Sequence, residues 1–257
     1  MDILVVCLTA FFASLLTLFS GFGLGTLLMP VVALFFPLEV AIATTAIVHL
    51  SNNLMKLLLL GKHAVMKHII KFGLPATLFA FIGAYLLIAL GDFNSPINYQ
   101  FSGYQGTTSY INLVIGGVIL FFVSLELSPK FANLRFAERW LPYGGALSGF
   151  FGGLSGHQGA FRSMFLVKSN LDKKQFIGTG VVIAVLVDVA RLLVYGVSFS
   201  SHSVKVDWML VTLASLCAFI GVYFGSKFIE KITINIIKSL ISVLLVLISF
   251  LILMGLI

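Results

Sequence analysis

Polar side chains share one face of an otherwise apolar stretch, residues 40–60. Asn52, Asn53 and Lys56 lie three, four and seven residues after His49, which are the spacings of one helix face. Ionised residues inside membrane helices cost about 2.5–3.5 kcal/mol on insertion scales, so they are usually functional or paired. This face could bind an anion or carry a proton. Two alternatives stay open: Lys56 could extend to the nearby helix end, and His49 could be a hydrogen-bonded structural residue.

Three further charged residues fall in apolar stretches of the second half. Asp188 and Arg191 lie three residues apart in the stretch 175–196. They could take part in coupling or gating, or they could simply neutralise one another. Arg162 has no acidic residue near it in sequence, since residues 156–171 contain no Asp or Glu. We predict that Arg162 supplies a fixed positive charge to a binding site.

Two glycine-containing sequences interrupt the apolar stretches, Ser20-Gly21-Phe22-Gly23-Leu24-Gly25 and Ser155-Gly156-His157-Gln158-Gly159. Glycine tolerates backbone that leaves the helical region. In hydrocarbon such a break is tolerated only where it lines a protein cavity, because the freed backbone groups need partners. The helix that begins after each break would offer N–H groups and a positive dipole end to an anion. Alternatively, the glycines only allow close helix packing. A dinucleotide fingerprint is excluded, since no strand precedes the glycines.

The composition places these elements in a membrane. Hydrophobic residues make up 60% of the 257 residues, charged residues only 10%, and the mean hydropathy is +1.11. Several apolar stretches reach the roughly 20 residues that cross a bilayer as a helix. The predicted fold class is therefore an all-α polytopic membrane protein.

The net charge of +7 follows the positive-inside pattern, which argues against a nucleic-acid partner. Twelve of the 16 basic residues fall in four short segments, 62–71, 130–139, 168–174 and 227–238. Two segments that lie between them, 91–109 and 197–206, contain one basic residue, Lys205. We predict that the basic segments, including residues near His68, Asn133 and Lys231, are cytoplasmic. The chain termini and residues near Phe101 and Ser201 then lie outside.

The two halves of the chain repeat one another. Ser20, Gly21, Met29, Thr44 and Gly61 recur 135 residues later as Ser155, Gly156, Met164, Thr179 and Gly196. Asn53 and Lys56 correspond to Asp188 and Arg191. The hexapeptide AFIGAY at 80–85 recurs as AFIGVY at 218–223. Landmarks in one order indicate duplication.

Each half predicts a broken pair of short segments followed by three full spans. An odd number of crossings places the halves upside down relative to one another, as in many secondary transporters. The predicted fold is thus two inverted repeats, each a re-entrant helical hairpin plus three transmembrane helices. The first repeat covers 1–128, a cytoplasmic linker 129–139, and the second repeat 140–257.

The predicted anion site lies between the two hairpin tips near the membrane midplane. An anion that enters this site loses hydration. We expect the groups around both breaks, the amides of Asn52 and Asn53 and the guanidinium of Arg162 to replace it. Predicted binding residues are Ser20, Gly21, Gly23, Gly25, Asn52, Asn53, Ser155, Gly156, His157, Gln158, Gly159 and Arg162; predicted coupling or gating residues are His49, Lys56, Asp188 and Arg191.

The sequence SGFGLGTLLMP followed by a polar helix, with the degenerate copy SGHQGAF, resembles the TauE/SafE family of sulfite and organosulfonate exporters. The likeness covers nearly the whole chain. It implies a bacterial or archaeal inner-membrane permease for a small anion such as sulfite or sulfoacetate. The second copy departs from the first through His157, Gln158 and Arg162, where substrate preference could reside.

Four functions remain open at this stage. The first is export of a small anion by alternating access, and the second is proton-coupled uptake or exchange with His49 or Asp188 as proton carrier. The third is a passive channel. The fourth is an intramembrane enzyme with His49 or His157 as base, which lacks an accompanying nucleophile or metal ligands.

No cofactor or metal is expected. The sequence has no CxxC or HExxH spacing, and Cys7 and Cys217 are expected to be buried as small hydrophobes. The expected partners are the small anion, the lipid bilayer and a possible second copy of the chain.

Overall fold

The computed structural model describes residues 2–20, 24–93, 95–101, 104–128, 131, 134, 136–201, 206–227 and 234–257. Helices make up most of the described chain, and several of them are long or apolar enough for a bilayer, which confirms the all-α polytopic fold. The helices of the first half are α1 (Asp2–Ser20), α2 (Leu24–Ala33), α3 (Leu38–Leu60), α4 (Met66–His68), α5 (Leu74–Asp92) and α6 (Tyr110–Leu127). Those of the second half are α7 (Leu141–Ser155), α8 (Gly159–Leu166), α9 (Lys173–Ser201), α10 (Trp208–Lys227) and α11 (Ile234–Leu253).

Three of the described helical segments are long and apolar enough to cross a bilayer: Met66–Asp92, Lys173–Val197 and Trp208–Gly225. The first of these joins α4 to α5 through a π-helical turn, Ile69–Gly73. Shorter apolar helices accompany them, among them Asp2–Leu15 and Leu24–Ala33. The α3 helix has 23 residues, and its polar face lowers its hydrophobicity.

A two-stranded antiparallel hairpin follows α5, and the sequence analysis did not predict it. Strand β1 (Ile97–Phe101) pairs with β2 (Tyr104–Thr108). Ile97 and Tyr99 are partly buried and alternate with the exposed Asn98 and Gln100, as expected for a strand with one apolar face. The hairpin covers the C-terminal end of the chain, because the Tyr99 hydroxyl donates to the Met254 carbonyl at 2.8 Å.

Helices of the first half pack against helices of the second half, and the contacts repeat when the two halves are interchanged. Helix α1 packs along α10, and its counterpart α7 packs along α5, the counterpart of α10. The equivalent helices α3 and α9 pack on each other, as do α6 and α11. This pairing is what a duplicated chain with an approximate twofold axis would produce. The inverted orientation of the two halves, and the boundaries 1–128, 129–139 and 140–257, stay predictions.

The repeated hexapeptides serve the same packing role in both halves. A Cβ added to Gly83 would lie 2.0 Å from the Phe150 carbonyl oxygen of α7, and one added to Gly221 would lie 2.3 Å from the Phe11 carbonyl oxygen of α1. Each hexapeptide therefore places its glycine against the first helix of the other half of the chain, α7 or α1. Only a residue without a side chain allows this backbone approach in a membrane helix pair.

Helix α7 contributes its own stripe of small residues to this packing. Gly145, Gly149 and Gly153 lie one turn apart and face the carbonyls of Phe72, Ala76 and Ala80 on the neighbouring helical segment. These three glycines of α7 therefore serve close packing. Gly156, which follows the helix, has a different role.

We expect Gly149→Ala to lower the thermal stability of the purified protein, because its Cβ would lie 1.9 Å from the Ala76 carbonyl oxygen. Overpacking of this kind costs about 1–3 kcal/mol. The matched control is Gly196→Ala, also in a helix, whose Cβ has no atom within 4 Å. Thermal unfolding in detergent compares the two. Equal melting temperatures for both variants would contradict the close packing of α5 and α7.

Two segments that the charge pattern assigns to one side of the membrane contact each other. Lys67 and Lys71 lie at the start of the Met66–Asp92 segment, and Glu138 lies in the turn before α7. The Nζ atoms of Lys67 and Lys71 are 2.7 and 3.0 Å from Glu138 Oε1. These two ammonium groups lower the pKa of Glu138 to about 2. The pairs are exposed, so their contribution to stability is small. They show that segments 62–71 and 130–139 share one end of the helix bundle.

Candidate anion site

The second break has the geometry of a glycine-terminated helix. Helix α7 ends at Ser155, and Gly156 adopts φ +82°, a left-handed conformation that favours glycine. The Gly156 N–H donates to the Gly152 carbonyl at 3.0 Å, and the His157 N–H donates to the Phe151 carbonyl at 3.3 Å. These bonds satisfy carbonyls at the helix end, and α8 then begins at Gly159.

The first predicted break lies largely outside the described residues: Gly21 and Gly23 are not described, and only the backbone of Ser20 is. The described helices on either side are α1, which ends at Ser20, and α2, which begins at Leu24. Gly25 lies in the first turn of α2, where an added Cβ would be 3.3 Å from the Gly156 carbonyl oxygen and 3.9 Å from His49 Cδ2. The first turn of α2 therefore lies against the turn at Gly156, beside the polar face of α3.

Asp188, a buried carboxylate, links the two halves. Its Oδ1 accepts hydrogen bonds from Arg191 Nε at 3.1 Å and Nη2 at 2.8 Å, and from Gln158 Nε2 at 3.2 Å. Its Oδ2 accepts from Asn53 Nδ2 at 2.9 Å and lies 2.7 Å from His49 Nδ1. Asp188 is 0% exposed and Arg191 1% exposed. The predicted pairing of Asp188 with Arg191 is therefore present, within a larger network.

Asn53 and Asp188 occupy equivalent positions in the two repeats, and they contact each other directly. The carboxylate network therefore lies at the contact between α3 and α9, the two helices that carry these aligned residues. The sequence repeat could have indicated this contact, since it aligns Asn53 with Asp188 at the spacing of 135 residues.

Two more cations border this network. Arg162 is half-buried and its Nη1 donates to Gln158 Oε1 at 3.1 Å. The backbone of Gln158 is fixed in turn, since its carbonyl accepts from Ser148 Oγ at 2.8 Å. Lys56 is buried, at 6% exposure, one turn after Asn53 on α3. Lys56 therefore does not extend to the surface of the bundle.

Ser14 of α1 is a residue that the sequence analysis missed. Its hydroxyl donates to Asn52 Oδ1 at 2.8 Å, and both side chains are 0% exposed. This bond orients the Asn52 amide so that Nδ2, which has no hydrogen-bond partner in the described part of the chain, remains able to donate. A lone serine in an apolar stretch gives no sequence signal for this role.

His157 lies immediately after the break and is 1% exposed. Its ring stacks on Phe122 of α6, with centroids 5.1 Å apart and planes inclined by 23°. Nδ1 lies 3.1 Å from the Ser155 carbonyl oxygen and 3.0 Å from Ser155 Oγ. Ser155 Oγ itself donates to the Phe151 carbonyl at 3.2 Å. Phe122 was not predicted, because it lies among many phenylalanines on an apolar helix.

The structure thus gathers His49, Asn53, Gln158 and Arg191 around the Asp188 carboxylate, with Arg162 in contact through Gln158. Gly25, in the first turn of α2, approaches Gly156 beside this network. Among the described residues, no group of three His, Cys, Asp or Glu side chains could hold a metal ion. The chemistry available is hydrogen bonding, positive charge and proton exchange.

Comparisons with known proteins agree with a transport role for such a site. The sequence profile of the family described as sulfite exporter TauE/SafE matches residues 6–252 of the chain. No curated protein and no solved structure shows a significant match. The match covers nearly the whole chain, and the family is a family of transporters. The chain belongs to the sulfite exporter TauE/SafE family, and it is a multi-pass membrane transporter.

Proposed function

We propose that the protein exports a small sulfur oxyanion, sulfite or an organosulfonate, by alternating access around the two hairpin tips. One observation carries the proposal: two guanidinium groups lie at the carboxylate of Asp188, Arg191 in direct contact and Arg162 through Gln158. Charged groups inside a membrane protein mark ion pathways when they face the interior of the bundle. A cluster with more cations than carboxylates favours an anion.

The proposed binding surface combines this charge with the breaks. Arg162 and the Asn52 amide would donate to the oxygens of the anion, and the N-terminal turns of α2 and α8 would add backbone N–H groups. Ser20, Gly21, Gly23, Gly25, Ser155, Gly156, His157, Gln158 and Gly159 would line the same space. Asn53 would act through Asp188, because its amide already donates to that carboxylate.

Outward movement fits the electrical gradient across a cell membrane. A potential that is negative inside favours export of each negative charge by roughly 2.3 kcal/mol per 100 mV. We place the protein in a bacterial or archaeal inner membrane, with both termini outside and the segment that contains Lys67 and Lys71 in the cytoplasm. We also propose that the permease forms a homodimer.

The contact between His49 and Asp188 favours a second candidate, proton-coupled uptake or exchange. The 2.7 Å separation of His49 Nδ1 and Asp188 Oδ2 would allow a proton to move between the two groups. An imposed pH gradient would then drive anion movement at zero membrane potential. Transport that ignores the pH gradient would exclude this candidate.

A flux assay in proteoliposomes tests the export proposal. Vesicles loaded with sulfite should lose it faster when they contain the protein, and faster still when a potassium gradient with valinomycin makes their interior negative. Protein-free vesicles and vesicles with chloride in place of sulfite are the controls. If monodisperse protein moves none of sulfite, 2-hydroxyethanesulfonate or ethanesulfonate, the proposed substrate class is wrong.

A further inference from the structure

The side-chain atoms that the site leaves unused indicate the chemistry of its ligand. Beside the Asp188 network, two buried polar atoms have no hydrogen-bond partner in the described part of the chain: Asn52 Nδ2 and His157 Nε2. Buried polar groups are nearly always hydrogen-bonded, so an unpaired atom calls for an explanation. A bound ligand that completes the hydrogen bonds is one such explanation.

The unpaired atom of Asn52 is a donor. Ser14 Oγ donates to Asn52 Oδ1, so the NH₂ group is the part of this amide that has no partner in the described part of the chain. An amide donor suits an oxygen of a sulfite or sulfonate group. This atom therefore requires nothing beyond the anion already proposed.

The unpaired atom of His157 is an acceptor when the ring is neutral. The Ser155 carbonyl oxygen, 3.1 Å from Nδ1, can only accept a hydrogen bond, so Nδ1 carries the proton. The Ser155 hydroxyl donates to the Phe151 carbonyl, which leaves its oxygen as a second acceptor toward Nδ1. In the neutral ring Nε2 is then a bare lone pair.

An anion with only acceptor oxygens would place one lone pair against another at His157. Sulfite dianion, thiosulfate and sulfoacetate dianion are of this kind. Hydrogen sulfite and sulfonates that carry a hydroxyl or an ammonium group supply a hydrogen as well as the anionic oxygens.

Resting on the proposed function, we propose that the anion this site carries bears its own hydrogen-bond donor, which His157 Nε2 accepts while Asn52 and Arg162 hold the anionic oxygens. The donor is a protonated oxygen in hydrogen sulfite, or a hydroxyl or ammonium group in a substituted sulfonate. His157 is then a specificity-determining residue, and the ring stack on Phe122 together with the bonds to Ser155 fixes its orientation.

Calorimetry on the purified full chain tests this with two ligands of equal charge, 2-hydroxyethanesulfonate and ethanesulfonate, which differ by one hydroxyl. We expect the hydroxyl compound to bind about tenfold more tightly, the effect of one buried hydrogen bond. His157→Phe retains a ring that can stack on Phe122 but removes the acceptor, so the preference should vanish. Equal binding of the two ligands by the parent protein would overturn the inference, and this comparison holds even if the variant does not fold.

A pH series distinguishes a donor on the ligand from a proton on the histidine. As pH falls through neutrality, sulfite binding should strengthen because hydrogen sulfite accumulates, while ethanesulfonate binding should stay weak. If ethanesulfonate binding strengthens in parallel, His157 itself supplies the proton and the inference is wrong. If Arg162→Ala weakens both sulfonates but the parent does not separate them, the anion site stands and the role of His157 falls. If neither sulfonate nor sulfite binds, the proposed function fails, and this inference fails with it.

Discussion

Replacing Arg162 with alanine is expected to weaken binding of sulfite or 2-hydroxyethanesulfonate by about 10- to 100-fold. Hydrogen bonds to charged groups contribute about 1.5–3 kcal/mol, and 1.4 kcal/mol corresponds to a factor of ten. Arg162 donates to the neutral side chain of Gln158, so the described hydrogen bonds do not neutralise its charge. That charge is available to an anion at the site.

The comparison variants separate charge from geometry. Arg162→Lys should recover only part of the affinity, because a bidentate fork becomes a point charge. Ser20→Ala should have a milder effect, because a hydroxyl can donate one hydrogen bond to the anion but carries no positive charge, whereas the guanidinium pairs two ionised groups. The matched control is Arg139→Ala, which removes a guanidinium that lies over Trp140, 5.8 Å from the ring centroid and far from the site in the fold.

Calorimetry on variants that remain monodisperse measures these affinities. An Arg162→Ala protein with the affinity of the parent would assign Arg162 a structural role. The second hairpin would then lose its place as the anion-selective half of the site.

Replacing Asp188 with asparagine is expected to destabilise the protein by about 3–5 kcal/mol. The substitution leaves Arg191, which is 1% exposed, as a buried charge without a counterion in the described network. It also turns one acceptor into a donor that faces the hydrogen-bond donors of Asn53 or Gln158. Denaturant or thermal unfolding in detergent measures the loss.

A double variant identifies the cause of this loss. Asp188→Asn combined with Arg191→Gln removes both charges, so it should be more stable than Asp188→Asn alone. Glu39→Gln is the matched control, a carboxylate-to-amide change at the partly exposed start of α3, and it should have a small effect. If the double variant is no more stable than the single one, the Arg191 charge does not depend on Asp188.

The sequence by itself determined the solvent, the class of fold and the family. The apolar composition required a bilayer, because a soluble chain of this length could not bury that much apolar surface. The spacing of His49, Asn52, Asn53 and Lys56 placed them on one helix face, and the buried polar face of α3 confirms it. The break at Gly156 was also predictable, since glycine in an apolar stretch either packs closely or ends a helix. The break at Gly21 and Gly23 stays a prediction.

Only the tertiary structure decided which of these residues act together. Asp188 meets His49 across 139 positions and Gln158 across 30, and no local pattern encodes such distances. Ser14 gives no sequence signal because its partner, Asn52, lies on another helix. The glycines divided into two roles for a similar reason: Gly149 faces a carbonyl of the neighbouring helix, whereas Gly156 adopts a left-handed conformation. Helix periodicity fixes the face that a residue occupies, but the neighbour of that face follows from the packing of the whole chain.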